Sequence, residues 1–283
     1  MLYISTTSII NNKNLFTVLE RYNKLGIRSI ELGSVHNYIS DFKPLFKFQK
    51  DNDINFIIHG FFPPLKEKFF INLSSQNGKI LKKSIDSCKK SVEMCRKLNS
   101  SIYTTHSGFS RDIIPNKKMK YGIGIASKEY DKEIILNTLN KSITEICDYA
   151  NNYDIKIAIE TMNSDRKMTI MDNPIIIDSF FKNIKLKNLF LLFDTGHMKA
   201  NSVSLNFDFK EAVKKLKKYI IALHLQDNTN NGEDEHLPIK NTEILDLFGK
   251  DFLKDKYITL EGQNNWTEKD ILDSRKLVEG YIS

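Results

Sequence analysis

Short runs rich in β-branched and aromatic residues alternate along this chain with longer stretches whose apolar positions recur every three or four residues. The first kind reads as strand and the second as amphipathic helix. Strands are expected over 2–7, 28–32, 54–59, 102–106, 155–160, 189–194, 219–224 and 257–261. Helices are expected over about 15–25, 42–50, 79–98, 133–153, 175–181, 209–218, 243–252 and 269–281. Phe190-Leu191-Leu192-Phe193 is apolar at every position, as a parallel strand covered on both faces should be. Eight strand–helix units fill the 283 residues, and no connection is long enough to separate domains. The expected fold class is therefore α/β, a single (β/α)8 barrel over residues 1–283. An open, doubly wound sheet would more often carry a glycine-rich first turn, and Ser5-Thr6-Thr7-Ser8 is not one. Four connections are long (60–78, 107–131, 161–172 and 225–242), and in a barrel all four open on the face where loops serve function.

Composition adds little to this and removes some alternatives. Hydrophobic residues at 41% and charged residues at 27% are ordinary for a globular enzyme. The formal charge of +7 permits acidic partners such as sugar phosphates or nucleic acid. Much of that charge sits in runs like Lys214-Lys215-Leu216-Lys217-Lys218, whose spacing reads as a solvated helix face. Lys117, Lys118 and Lys120 could meet a phosphate, although a solvated charge run is the simpler reading. Cys88, Cys95 and Cys147 lack C-x-x-C spacing, so core packing in a reducing compartment is expected. No apolar run reaches membrane-spanning length and no secretory leader pattern opens the chain, so a cytoplasmic protein with no membrane partner is expected.

The chemistry gathers at strand ends. The third strand ends at His59, the fourth at His106, the fifth at Glu160, the sixth at Asp194, the seventh at His224 and the eighth at Glu261. His197 follows Asp194 by three residues, and Asp234 and His236 lie in the loop after the seventh strand. A lone histidine at a strand end is usually a satisfied polar residue, and a lone aspartate usually caps the next helix. Together the picture changes, because five of the six histidines and four carboxylates map to one rim of one barrel. Imidazole with carboxylate suits Zn²⁺, Mn²⁺ or Co²⁺, and the absence of thiolates argues against a closed structural zinc site. Acidic groups at the ends of apolar strands would repel one another without a cation between them. His36 follows the second strand and could reach a substrate or simply occupy a surface loop. Trp266, the only tryptophan, could cover the pocket or pack over the barrel end.

The segments Ile-Glu-Thr (159–161), Phe-Asp-Thr-Gly-His (193–197), His-Leu-Gln-Asp-Asn (224–228), Asp-Glu-His-Leu-Pro (234–238) and Leu-Glu-Gly (260–262) occur in order along the chain. In that order and spacing they resemble the xylose isomerase-like barrel superfamily. That group holds divalent-metal sugar isomerases and epimerases together with the endonuclease IV type of abasic-site nuclease. The sugar branch implies one Mn²⁺-type ion held by Glu160, Asp194, His224 and Glu261, with His197 helping to hold substrate. The nuclease branch implies up to three zinc ions, with His59, His106, His197, Asp234 and His236 as further ligands and Glu160 bridging. Other features depart from the nuclease pattern. Gly196 stands where the nuclease typically has Cys, Phe61-Phe62-Pro63-Pro64 intervene before Asn72-Leu73, and Leu237-Pro238-Ile239-Lys240-Asn241 replaces a glycine-rich stretch.

The expectation that follows is a metal-dependent sugar or sugar-phosphate isomerase or epimerase. Glu160 and Glu261 would remove and return a proton beside a carbonyl, with a cation stabilising the charge that develops. The alternative is a zinc phosphodiesterase acting on DNA at abasic sites, with Phe61, Phe62 and the lysines at 117–120 available to distort the duplex. A barrel that keeps its metal site only for binding is a third reading, against which the complete ligand set argues.

Overall fold

The structure is a computed structural model that describes residues 1–67, 69–116, 123–164, 168–229, 231–263 and 265–283. Eight parallel strands close into a barrel: β1 (Leu2–Ser5), β2 (Ser29–Leu32), β3 (Asn55–His59), β4 (Ile102–Thr105), β7 (Lys156–Glu160), β8 (Leu189–Asp194), β9 (Ile220–Leu225) and β10 (Tyr257–Leu260). Two short antiparallel strands, β5 (Ile113–Pro115) and β6 (Ile123–Ile125), form a separate hairpin in the connection after β4. The helices are α1 (Leu15–Lys24), α2 (Lys43–Asn52), α3 (Gly78–Lys97), α4 (Lys132–Asn151), α5 (Pro174–Asn183), α6 (Thr195–Ser204), α7 (Phe209–Leu216), α8 (Glu243–Phe248), α9 (Lys250–Lys254) and α10 (Glu268–Ile282). Side chains of Asn14, Asn77, Asp131, Asn173 and Asp208 accept first-turn N–H groups, and Thr267 with Asp270 forms a full capping box. Among the described residues no helix is long and apolar enough to cross a membrane.

Successive side chains on a strand point to opposite faces, and the barrel interior follows from that alternation. One set of residues faces the helices: Ile4, Ile30, Ile58, Tyr103, Ile157, Leu191, Phe193, Leu223 and Ile258 belong to the large outer core. The intervening residues Tyr3, Ile57, Ile102, Ala158, Leu192 and Ala222 form a separate apolar layer inside the barrel. Two residues further along the same strands, on the same inward face, stand Ser5, His59, Thr104, Glu160, Asp194 and His224. The interior is thus apolar at the N-terminal end and charged at the C-terminal end. Register holds these groups level, since His224 pairs with Asp194 on one side and Thr259 on the other.

Differences from the expected elements have local causes. The 107–131 connection carries the β5–β6 hairpin. The expected helix over 243–252 divides at Gly249, whose φ of +77° interrupts α8 and α9. α6 was not anticipated; it starts directly at the end of β8, with the Asp194 carboxylate accepting from the His197 N–H at 2.8 Å. His197 therefore lies in a helix's first turn and not in a loop. Cys88, Cys95 and Cys147 are free and buried, as core packing requires.

Ile157 is wholly buried between the barrel and its helices. Ile157→Ala should lower unfolding free energy by about 2–5 kcal/mol. Chemical denaturation would measure this, and a loss near zero would mean that the outer core collapses into the space.

Candidate metal and catalytic site

All nine strand-end and loop residues singled out by the sequence converge at the C-terminal mouth, and His224 is their hub. Its Nε2 lies 3.0 Å from Glu31 Oε2, so the imidazole donates there and leaves the Nδ1 lone pair free. Nδ1 faces Glu261 Oε2 at 3.1 Å, Glu160 Oε1 at 3.2 Å and Asp194 Oδ2 at 3.7 Å. Glu160, Asp194, His224 and Glu261 each bring one donor atom within 4.8 Å of the others.

Two further groups adjoin this one. Thr104 donates its hydroxyl to the Ile58 carbonyl, so it accepts from His59 Nδ1 at 2.9 Å and frees His59 Nε2. That nitrogen sits 3.2 Å from His106 Nε2, and Glu160 Oε2 lies 3.0 Å from His106 Nε2. On the other flank, His197 Nδ1 donates to the Thr161 carbonyl at 2.8 Å and His236 Nδ1 to the Glu261 carbonyl at 3.4 Å. Both free Nε2 atoms then face Asp234 Oδ2, at 3.3 and 3.1 Å. His59, His106 and Glu160 form one compact donor group, and His197, Asp234 and His236 form another.

The electrostatics fit a positive charge among these groups. Burial pushes the Glu160 carboxyl up, but the fields of His59 and His106 outweigh it and hold the group well below the usual range. Burial likewise raises Glu261, and His224 more than reverses this, bringing it down to about 2. Burial opposes protonation of His224 and His197, yet the carboxylates around each hold them well above an ordinary imidazole. Asp194 is pushed by burial up to about 6. With protons as the only cations, the imidazoles of His197, His224 and His236 carry the charge that balances the carboxylates. Glu31 Oε1 and Asp234 Oδ1 are buried without hydrogen-bond partners among the described residues. Unpaired buried oxygens beside free imidazole lone pairs are what a divalent cation would satisfy, so the donor set fits one.

Sequence reasoning missed two supporting residues. Glu31, fully buried, takes hydrogen bonds from His224 and from the Thr259 hydroxyl at 3.2 Å. The signal was a carboxylate alternating with Ile30 and Leu32 in an apolar strand, which places it inside the barrel. Gln226 Nε2 donates to both Asp194 oxygens, at 3.0 and 3.1 Å. Gly196 makes room for it, since a β-carbon there would lie 2.3 Å from the Gln226 amide.

Other expectations are corrected or relocated. Trp266 does not cover the pocket. It is fully buried against Gly262, and its indole N–H donates to the His236 carbonyl at 2.7 Å. His36 is no surface residue either; it is buried, with contacts to Asn12 O at 2.5 Å and Thr6 Oγ1 at 2.8 Å. Phe62 is wholly buried against Phe42, whereas Phe61 is half-buried. Lys117, Lys118 and Lys120 lie outside the described residues. The donors open into a cavity of about 500 Å³ that also touches Thr7, Asn12, Phe70, Phe109 and Met162. A larger cavity of about 800 Å³ lies at the opposite end, lined by Tyr3, Asn55, Ser101 and Tyr257, and contains none of the donors.

A closed parallel barrel with histidines and carboxylates gathered at its C-terminal mouth defines a class of barrel proteins, and the comparisons agree with it. The chain belongs to the xylose isomerase-like TIM barrel family, whose model matches residues 19–270. It is 26% identical over 253 residues to an uncharacterized protein of Methanocaldococcus jannaschii, covering 87% of this chain and 77% of that protein. In fold it is similar to a D-tagatose 3-epimerase-like protein, with a TM-score of 0.76, 22% identity, and 99% and 96% of the two chains covered. A D-psicose 3-epimerase structure gives a TM-score of 0.72 at 19% identity, with 99% of each chain covered.

Gly196→Ala should push the Gln226 amide from Asp194 and cost about 1–3 kcal/mol of stability. An unchanged denaturation midpoint would mean that the amide swings aside freely.

Proposed function

We propose that this chain, acting as one barrel unit over residues 1–283, is a divalent-metal-dependent isomerase or epimerase of a sugar or sugar phosphate. The observation that carries the reading is the placement of two glutamates, Glu160 and Glu261, on either side of His224 Nδ1 at 3.2 and 3.1 Å. They come from strands three places apart in the eight-strand ring, so they approach a bound molecule from different sides. The names of the similar folds, a D-tagatose 3-epimerase-like protein, a D-psicose 3-epimerase and an L-ribulose 3-epimerase, support the same class.

Glu160, Asp194, His224 and Glu261 would hold the cation, Mn²⁺ or Zn²⁺. When bound, it would supply stabilisation of negative charge on a carbonyl oxygen. One glutamate removes the proton next to the carbonyl, and the other, in its protonated form, delivers a proton to the opposite face. Phe70, Phe109 and Met162 narrow the cavity and keep water from the reacting carbon. Glu31 sets the His224 tautomer, and Gln226 aims Asp194.

A second reading has a specific observation behind it. The groups His59–His106–Glu160 and His197–Asp234–His236 offer more donors than proton transfer at one cation uses. Up to three zinc ions and cleavage of a phosphodiester at abasic DNA would use them all. Against this reading, buried Phe62 is not available as a wedge for DNA.

Glu160→Gln and Glu261→Gln should each cut proton exchange beside the carbonyl by at least about 100-fold while the barrel stays folded. Deuterium uptake from D₂O into ketohexoses, read by NMR, measures this; full exchange in either variant would sink the two-glutamate mechanism. Glu31→Gln should weaken cation affinity by about 10- to 100-fold. Metal content of protein purified without chelator separates the two readings. One exchangeable ion supports proton transfer, and three tightly held zinc ions with nicking of abasic DNA support the nuclease.

A further inference from the structure

Beside the cavity of histidines and carboxylates runs a second cleft of about 360 Å³. The two share Lys13, Ser34, Val35, Phe70, His106 and Phe109 in their walls, so they open into one another past the His106 ring. Their chemistry differs sharply. His59, Glu160, His197, Asp234 and Glu261 all lie on the main cavity and none on the cleft. The rest of the cleft is mainly apolar, with Phe61, Pro64, Leu65, Phe69 and Ile71 on its wall and an exposed Glu67.

Phe61 and Phe70 are only half-buried, so they hold apolar surface open to this space. His36, on the same wall, is kept uncharged because burial pushes its protonation down to about 4. Sugar hydroxyls placed here would lose water and find few partners. A flat ring would gain edge and face contacts with the phenylalanines while its attached polar portion reached the donors past His106. The volume suits one ring and not a second sugar chain with its hydration. The cleft and the donor cavity adjoin along these shared walls, so one molecule can extend from one into the other.

We propose that this cleft is a subsite for an aromatic substituent, and that the substrate is a sugar bearing an aryl group, with the ring among Phe61, Phe70 and Phe109. The proposal rests on the sugar reading of the donor cluster. Lys13, exposed at the shared mouth, stands where ring and sugar would join.

The test is a calorimetric and ¹⁹F NMR titration of the full chain, loaded with Mn²⁺, using the 3-keto forms of 4-fluorophenyl β-D-glucopyranoside and methyl β-D-glucopyranoside, which keep a carbonyl beside hydroxyls. The aryl glycoside should bind at least about tenfold more tightly. Phe61→Ala should remove most of that preference and leave the methyl glycoside unaffected. Leu65→Glu, at a half-buried site that lines the cleft and not the donor cavity, gives the same test without cutting into the core. Equal affinities for the two glycosides, or a preference that survives both substitutions, overturn the subsite. Deuterium exchange into the same two keto-glycosides and into free ketohexoses is read in parallel. Exchange without aryl preference removes the subsite and spares the sugar reading, while a cleft-dependent aryl preference without exchange keeps the subsite and removes that reading.

Discussion

Two-residue alternation along parallel strands lifts His59, Glu160, Asp194 and His224 into one layer inside a closed barrel, directly above an apolar layer of Tyr3, Ile57, Ile102, Ala158, Leu192 and Ala222, with Glu31 facing the same interior level with Ile57. Closure leaves these charges no route to bulk water except the mouth. Each must therefore be balanced by its neighbours, and the site's geometry is the solution to that electrostatic problem. Slipping any one of these strands by a single residue would turn its donor toward the helices and bring in a neighbour such as Ile58, Ile159, Phe193 or Leu223.

The balance is arranged in tiers. Glu31, at the bottom, fixes His224; His224 gathers Glu160, Asp194 and Glu261; Glu160 then reaches across to His59 and His106. Backbone carbonyls of Thr161 and Glu261 do for His197 and His236 what the Glu31 carboxylate does for His224. In each case one ring nitrogen is tied to the scaffold so that the other is left to the cavity. Among the described residues, Glu31 Oε1 and Asp234 Oδ1 stay unpaired within this arrangement.

Much of this was legible in the sequence because the donors end strongly apolar runs. A histidine or carboxylate after Ile-Ile, Ala-Ile or Thr-Leu marks a strand end by contrast, and six such runs, with the two β-rich runs before them, fix the barrel. Glu31 was not legible in that way, since it sits within its strand and has no motif; only the inward phase of Ile30-Glu31-Leu32 betrays it. α6 was hidden because Asp194 serves at once as strand end, helix cap and candidate ligand, and the cap is visible only when the His197 N–H is seen to meet it. Trp266 and Gln226 act through partners distant in the chain, and no local pattern reports such pairings. The β5–β6 hairpin lies off the barrel, where the alternation that organises the rest has no hold.

Trp266 has a consequence for how the molecule is made. Its backbone N–H and that of Asn265 both bond to the Ser8 carbonyl, and Ile9 bridges to Trp266, so this segment fastens the seam between β1 and β10. Its indole meanwhile grips the backbone of His236, a residue with φ of +50°, two strands' connections away from that seam. The loop after β9 is thus held by the same residue that fastens the last strand to the first. Closure of the cylinder and the placing of His236 share one anchor.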